Sequence, residues 1–293
     1  MALLIGAFVV LASVMVGFML HGGNPMALYQ PSEFLIIGGA ALGQLVISTP
    51  GSVLKAMIAN LIGMMKPAAT KDDYIDLLTM LYNLFRLAQQ SGVMALENHA
   101  EKPKESTVLS THPRFMARHG APEFLCDSLK VMIMGGVTAH DFETLMEQDL
   151  EVHHHMALQP AAALTRTGDA LPGLGIVAAV LGVVITMGAI DGPPAEIGEK
   201  VAAALVGTFL GILLAYGFVS PMGTALEHRV ADAGCYLECI KTGLLAVHKG
   251  LPPAIAVEFA RRVLPDEIRP SFDETERACR GARSSQASAA AAA

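Results

Sequence analysis

Charge is scarce in this chain. Asp, Glu, Lys and Arg together make up 16% of 293 residues, and they fall in blocks separated by long uncharged stretches that a single soluble core would not require. With a net charge of -7 the chain also lacks the dense positive face that a phosphate backbone demands, which excludes nucleic acid as a partner. Cysteine is equally sparse: Cys126, Cys235, Cys239 and Cys279 show neither CxxC spacing nor a histidine at zinc-like intervals. They read as free thiols that pack in a reducing compartment. Strand-like alternation is scarce and no solenoid-length repeat is visible, so the expected fold class is all-α. A nucleophile with a base, or a set of metal ligands, is missing at membrane depth. An intramembrane enzyme is therefore not expected, and no catalytic residue, metal or cofactor is assigned.

What the chain has in abundance is apolar sequence, at 53% of residues. A helix needs about 20 mostly apolar residues to cross the hydrocarbon core. Four stretches qualify: Ala2–Leu20, Phe34–Ile47 continued by Ser48 and Thr49, Leu171–Ile190, and Val201–Val219. The second has the shortest apolar run. The first lacks a basic n-region and a small-residue cleavage site, so it is expected to be a retained span and not a signal peptide.

Basic residues set the orientation. The segment 21–33 has none and the segment 191–200 has only Lys200, whereas Ser48–Asp169 and the region from Ser220 are both rich in Lys and Arg. The expected topology is a multi-pass inner-membrane protein with both termini in the cytoplasm. Residues 1–49 form a first transmembrane hairpin and 50–169 a cytoplasmic helical domain. A second hairpin follows at 170–220, then a cytoplasmic helical tail at 221–283 and a low-complexity, disordered end at 284–293.

The long internal segment must hold helices, since a structureless connection of that length is uncommon in a compact protein. Thr70 followed by Asp73 resembles an N-cap. Tyr74, Leu77, Leu78, Leu81, Leu84, Phe85 and Ala88 then recur on one helical face, with an end near Ser91 and Gly92. Further helices are expected over Pro122–Met134 and Ala139–Met156. The apolar run Val53–Met65 suits a position flat on the inner membrane surface. The cluster His153, His154 and His155 reads as a solvated or pH-responsive face in preference to a metal site.

Within the spans, small residues mark close helix packing: Gly39 and Gly43; Gly175, Ala179 and Gly182; Gly207, Gly211 and Ala215. The polar residues there are Gln44, Thr186, Thr208 and Tyr216. A lone intramembrane hydroxyl usually bonds the carbonyl one turn back, but two on facing helices also suit a polar path or a partner's ionisable group. No Asp, Glu, Lys, Arg or His lies inside the third or fourth span, although proton relays need such groups despite their cost in lipid. A proton conductor built on these spans must take its titrating carboxylate from another chain. Pro172 and Pro221 bracket the pair. Pro172 reads equally as a hinge or as an ordinary first-turn proline, while Pro221, followed by more helix-like sequence, favours a bend.

The run Pro172–Gly188, the run from Val206 to Pro221, and the blocks Ala27–Glu33, Pro252–Phe259 and Arg269–Phe272 together resemble the flagellar stator family MotA of the MotA/TolQ/ExbB proton channel superfamily. The likeness extends over nearly the whole chain. It implies a homopentamer around two copies of MotB, whose single span carries the proton-binding Asp, with proton flow turning the ring against the rotor protein FliG. It further implies that Thr208 and Tyr216 sit near the ion path, to which the hydroxyl of Thr186 is added as a candidate from the span sequence alone, that Pro172 and Pro221 couple protonation to conformational change, and that Glu97 belongs to the rotor-facing surface. The family's common arginine at that surface aligns with Gln89, with Arg86 one turn earlier, and Ile185 stands where many members carry His. An envelope energiser of the ExbB or TolQ type is the alternative; those relatives usually have three spans.

Overall fold

The computed structural model describes residues 2–64, 69–188 and 190–291, and among these every regular element is helical. In chain order they are α1 (Ala2–Leu20), α2 (Pro31–Ser48), α3 (Gly51–Gly63), α4 (Lys71–Ser91), α5 (Glu97–Glu101), α6 (Pro113–Met116), α7 (Ala121–Met134), α8 (Ala139–Met187), α9 (Pro194–Leu214), a π turn (Ala215–Val219), α10 (Ser220–His248), α11 (Pro253–Arg262) and α12 (Phe272–Ala291), with short 3-10 turns between some of them. The chain divides into two compact units, Met1–Lys66 with Ala157–His228, and Pro67–Met156 with Arg229–Ala293.

Among the described residues four helical stretches are long and apolar enough to cross a membrane, beginning at Leu3, Pro25, Ala139 and Pro194. The chain is a multi-pass membrane protein. The second stretch has the lowest mean hydropathy, 1.3 against 2.7 for the first, as its short apolar run predicts. Two expectations about the other spans change. The helix expected over Ala139–Met156 and the span expected to begin at Leu171 are one helix, α8, which runs unbroken through Pro160 and Pro172. Pro172 is therefore an interior proline and not a helix-start residue. The fourth span begins earlier than Val201, at Pro194, where proline suits the first turn because the amide it lacks has no partner there. After α2, α3 buries Val53 and Met57 and leaves Ile58 and Ile62 exposed.

The second unit is built on α4. Every apolar position expected on its inner face is buried, together with Met80 and Asn83. Its start is fixed as the sequence predicts: the Thr70 amide donates to Asp73 Oδ2 at 2.8 Å. Burial of Asp73 opposes ionisation, but the Thr70 amide and hydroxyl together with the charges of Arg114 and Arg118 hold its carboxyl below the usual range. The Asp76 carboxylate meets His112 Nδ1 at 2.6 Å, and Gly92 ends the helix at φ +83. Around α4 gathers one core that includes Phe115, Leu125, Phe142, Tyr236 and Leu244. All four cysteines are free. Burial pushes the thiols of Cys126 and Cys279 up to about 11, so at neutral pH they are packing groups and not nucleophiles. Helix α12 carries helical backbone to Ala291, through most of the stretch the sequence marks as disordered. Alanine, with the highest helix propensity, is the physical reason that stretch takes a helical path. Residues 292 and 293 lie outside the described residues.

The end of α11 rests on an ion pair that gives a stability prediction. Arg261 grips Glu258 with two parallel bonds of 2.7 and 2.8 Å and donates a third, of 2.9 Å, to the Pro270 carbonyl. The Arg261 bonds, opposed by burial and reinforced by Arg262, hold the Glu258 carboxyl down at about 2. A carboxyl lowered on folding contributes stability above its unfolded value of 4.5, and that contribution disappears as pH falls towards 2. Glu258→Gln should cost about 2 kcal/mol at pH 7. The deficit should shrink below pH 4, where the unmodified chain loses the same contribution, and thermal unfolding across pH 3 to 7 would measure both.

Candidate functional site

The membrane unit centres on a seam between α8 and α9. Close approach is possible because glycines on both helices remove the side chains that would hold them apart. A Cβ on Gly211 would lie 2.7 Å from the Leu171 carbonyl oxygen and 2.8 Å from Gly175 Cα; one on Gly182 would lie 2.7 Å from Ala204 Cβ. The small residues read from the third and fourth spans thus face each other within one chain. The third set behaves differently, since a Cβ on Gly39 or Gly43 would meet nothing within 4 Å.

At the other end of the seam, both prolines meet the same structural feature. Pro172 has no N–H to offer the carbonyl of Gly168, four residues back, and Pro221 has none for Gly217. Along α9 the chain answers with the π turn, in which the Ser220 amide reaches back five residues to the Ala215 carbonyl. This wider turn accommodates a proline ring that would clash with an α-helical carbonyl. Gly168 lies directly opposite: a Cβ there would be 2.6 Å from Ser220 Oγ and 3.3 Å from the Ser220 amide. The Ser220 hydroxyl and that of Thr165, which abuts Gly223, are buried without a hydrogen-bond partner.

The hydroxyls expected along the path are not brought together. Thr186 is buried and donates to the Gly182 carbonyl at 2.8 Å, the ordinary one-turn-back bond. Thr208 is half-buried. The helix register pairs Gly182 with Ala204 and Gly175 with Gly211, which sets Thr186 about eight residues of rise, roughly 12 Å, from the level of Thr208. Tyr216 is 64% exposed and lines a cavity of about 330 Å³ with Leu3, Gly6 and Val10 of α1. Thr208, Ile212 and Tyr216 form a stripe one residue round from the glycine face, half-buried at Thr208 and exposed at Ile212 and Tyr216.

One group escaped the sequence reading. Glu33, assigned there to the outer loop, is 6% exposed and lies in the first turn of α2. Its position was legible in principle, because Glu33, Ile37, Ala41 and Leu45 recur every four residues and are the buried positions of that helix. The absence of an acid holds for the segments Leu171–Ile190 and Val201–Val219, but α2 carries one that is buried.

In the second unit, Gln89 and Glu97 are exposed while Arg86 is half-buried, with one guanidinium nitrogen buried and unpartnered. Of the three histidines, His153 is half-buried against Gly120, and His154 and His155 are exposed. No group of three or more His, Cys, Asp or Glu placed to share a metal ion occurs among the described residues.

Comparison with known proteins follows this geometry closely. The sequence pattern of the Motility protein A N-terminal region matches residues 4–92, and that of the MotA/TolQ/ExbB proton channel family matches residues 117–238. Motility protein A of Escherichia coli is 41% identical over 98% of this chain and 97% of its own length. Motility protein A of Salmonella typhimurium is 42% identical over 97% and 96%. Among solved structures, C. jejuni MotAB superposes with a TM-score of 0.75 at 23% identity, over 92% of this chain and 98% of that one. The flagellar MotAB stator complex of Bacillus subtilis gives 0.72 at 24% identity, over 91% and 96%. These two establish a shared fold.

Proposed function

From the premise that the chain belongs to the MotA/TolQ/ExbB proton channel family, on its Motility protein A branch, we propose that it is a flagellar stator subunit that couples proton flow to torque. It works with a MotB-type partner, whose intramembrane carboxylate accepts the proton, in a ring of five copies in the bacterial inner membrane. Both termini lie in the cytoplasm. Neither catalysis nor a cofactor is involved.

The observation that carries this reading is the end-to-end match at 41% identity, which takes in all four spans and the α11 region. An ExbB or TolQ-type energiser would align over the channel segment without them. The exposure of Ile212 and Tyr216 next to Thr208 supports contact with a partner's helix, since that part of the stripe is left uncovered by the subunit itself. Thr186, already bonded to its own helix, contributes at most a carbonyl-capped hydroxyl to the path. Pro172 and Pro221 act as the coupling elements: they converge on Gly168 and Ser220, where a small shift in either helix is felt by the other. Glu97 and Gln89 present exposed polar groups to the rotor protein FliG, with Arg86 behind them.

Deleting the gene should abolish swimming and leave iron and colicin uptake unchanged, and a plasmid copy of the chain should restore motility. Normal swimming with impaired uptake would overturn the reading in favour of an envelope energiser.

A further inference from the structure

The carboxyl of Glu33 occupies a position that the stator reading leaves unassigned. It stands on the buried stripe of α2, above Ile37 and Ala41, which belong to the cluster that packs against Ala178, Val206 and Leu210. Oε2 points at Gly207: a Cβ on that glycine would be 2.6 Å from the oxygen, and also 3.2 Å from Ala178 Cβ. The carboxyl thus fills the space that a side chain at 207 would take. Oε2 is buried and has no hydrogen-bond partner.

The charges around it are distant or engaged. On α9 the nearest cation is Lys200, seven residues from Gly207, about 10 Å of helix rise, and it is paired with Glu196 at 3.0 Å; Glu199 lies beside it. On α8 the closest ionisable residue in sequence towards the cytoplasm is Asp169, and beyond the other end of the helix it is Asp191. The preceding loop offers only His21 and Tyr29. His21 Nδ1 is already bonded to the Gly17 carbonyl at 2.9 Å. No cation is within ion-pair distance of Glu33 among the described residues. An unpaired ionisable group in a membrane bundle is expensive, and such groups mark proton and ion pathways.

We propose that Glu33 is a proton-exchanging carboxyl of this chain's own membrane bundle, receiving protons on the side of the 21–30 loop and passing them towards the partner's carboxylate. In each transfer the Glu33 O–H bond breaks, the proton goes to a water or to the partner's carboxylate, and the resulting Glu33 carboxylate is reprotonated from water on the loop side. Gly207 is what admits the carboxyl to the seam. The inference rests on the stator reading for its direction of flow, but the exchange itself is a property of the side chain.

The test uses the full complex of this chain with its MotB-type partner. Infrared difference spectra of complex carrying ¹³C-labelled glutamate should contain a carboxyl band that responds to pH and disappears in Glu33→Asp, a variant that retains the acid and the fold. In cells, Glu33→Gln should assemble normally and rotate roughly tenfold more slowly at alkaline external pH, less than the roughly hundredfold or more that a positioned proton-transfer group contributes, because the partner's carboxylate is retained. The deficit should narrow as the medium is acidified, and Glu33→Asp should restore most of the speed. A labelled band indifferent to pH, or one unchanged in Glu33→Asp, would overturn the proposal. So would wild-type rotation of Glu33→Gln at every external pH. A pH-responsive Glu33 band in a complex that conducts no protons would instead count against the stator reading alone.

Discussion

Gly211→Val is expected to leave the isolated subunit without a stable pairing of α8 and α9. Even alanine at 211 places its Cβ 2.7 Å from the Leu171 carbonyl oxygen and within 3.1 Å of two backbone atoms of Gly175. Those are backbone atoms of a facing helix, so no rotamer change relieves the contact and the helices must separate. Against this, alanine improves helix propensity by only about 1 kcal/mol over glycine. Overpacking costs about 1–3 kcal/mol where a core can adjust; here valine adds two further methyl groups at a backbone crossing, and the upper end applies. About 3 kcal/mol corresponds to roughly a hundredfold loss of the packed state. Thermal unfolding of the purified subunit in detergent would read this directly. Gly173→Ala is the control, since a Cβ there meets nothing within 4 Å and its midpoint should stay at or slightly above that of the unmodified subunit. Equal midpoints for Gly211→Val and the unmodified subunit would show that the seam contributes little.

The same seam shows which parts of the molecule a sequence can reveal. Uncharged runs of span length identify the membrane segments because lipid imposes one dominant requirement on every residue in contact with it. The inner face of α4 was equally legible: a helix in water must bury its apolar stripe, and Tyr74 through Ala88 repeat at that period. What stayed hidden depends on pairwise geometry. The glycine sets at 39/43 and 207/211 have the same spacing, yet only the second meets another helix of this chain. Pro160 and Pro172 look like helix ends in isolation. Inside a bundle, neighbouring groups make up for the amides they lack, so α8 continues through both. Glu33 was lost for a related reason. Counted by charge it belongs to a loop, and only the repeat with Ile37, Ala41 and Leu45 places it on the buried side of α2. Thr186 and Thr208 looked like facing partners until the register of the glycine contacts separated them.

Pro221→Ala should abolish rotation while the subunit still folds and reaches the membrane. With an N–H restored at 221, the chain can close the ordinary bond to the Gly217 carbonyl, and the π turn over Ala215–Val219 loses the constraint that favours it. A π turn carries one residue more than the α-helical path between the same points. Removing it therefore rotates α10 relative to α9 by about 100° and shifts it by about 1.5 Å. Gly207 and Gly211 are tied to α8 on one side of the turn. On the other side, Ser220 abuts Gly168 and Gly223 abuts Thr165. The two sets of contacts cannot both survive such a rotation, so the variant must choose between a strained π turn and a re-registered helix. Either way the junction loses the balance between states that a coupling element needs. Hydrogen exchange at residues 215–221 separates the two cases: slower exchange than in the unmodified chain signals a regularised helix, and faster exchange a frayed one. Wild-type swimming by Pro221→Ala, together with unchanged exchange across the turn, would show that the π turn is held by its neighbours and not by the proline, and would remove Pro221 from the coupling scheme. Pro172→Ala probes the opposite wall. It restores a donor to the Gly168 carbonyl without altering α9, so its effect on rotation should be carried by α8 alone and leave exchange at 215–221 as it was.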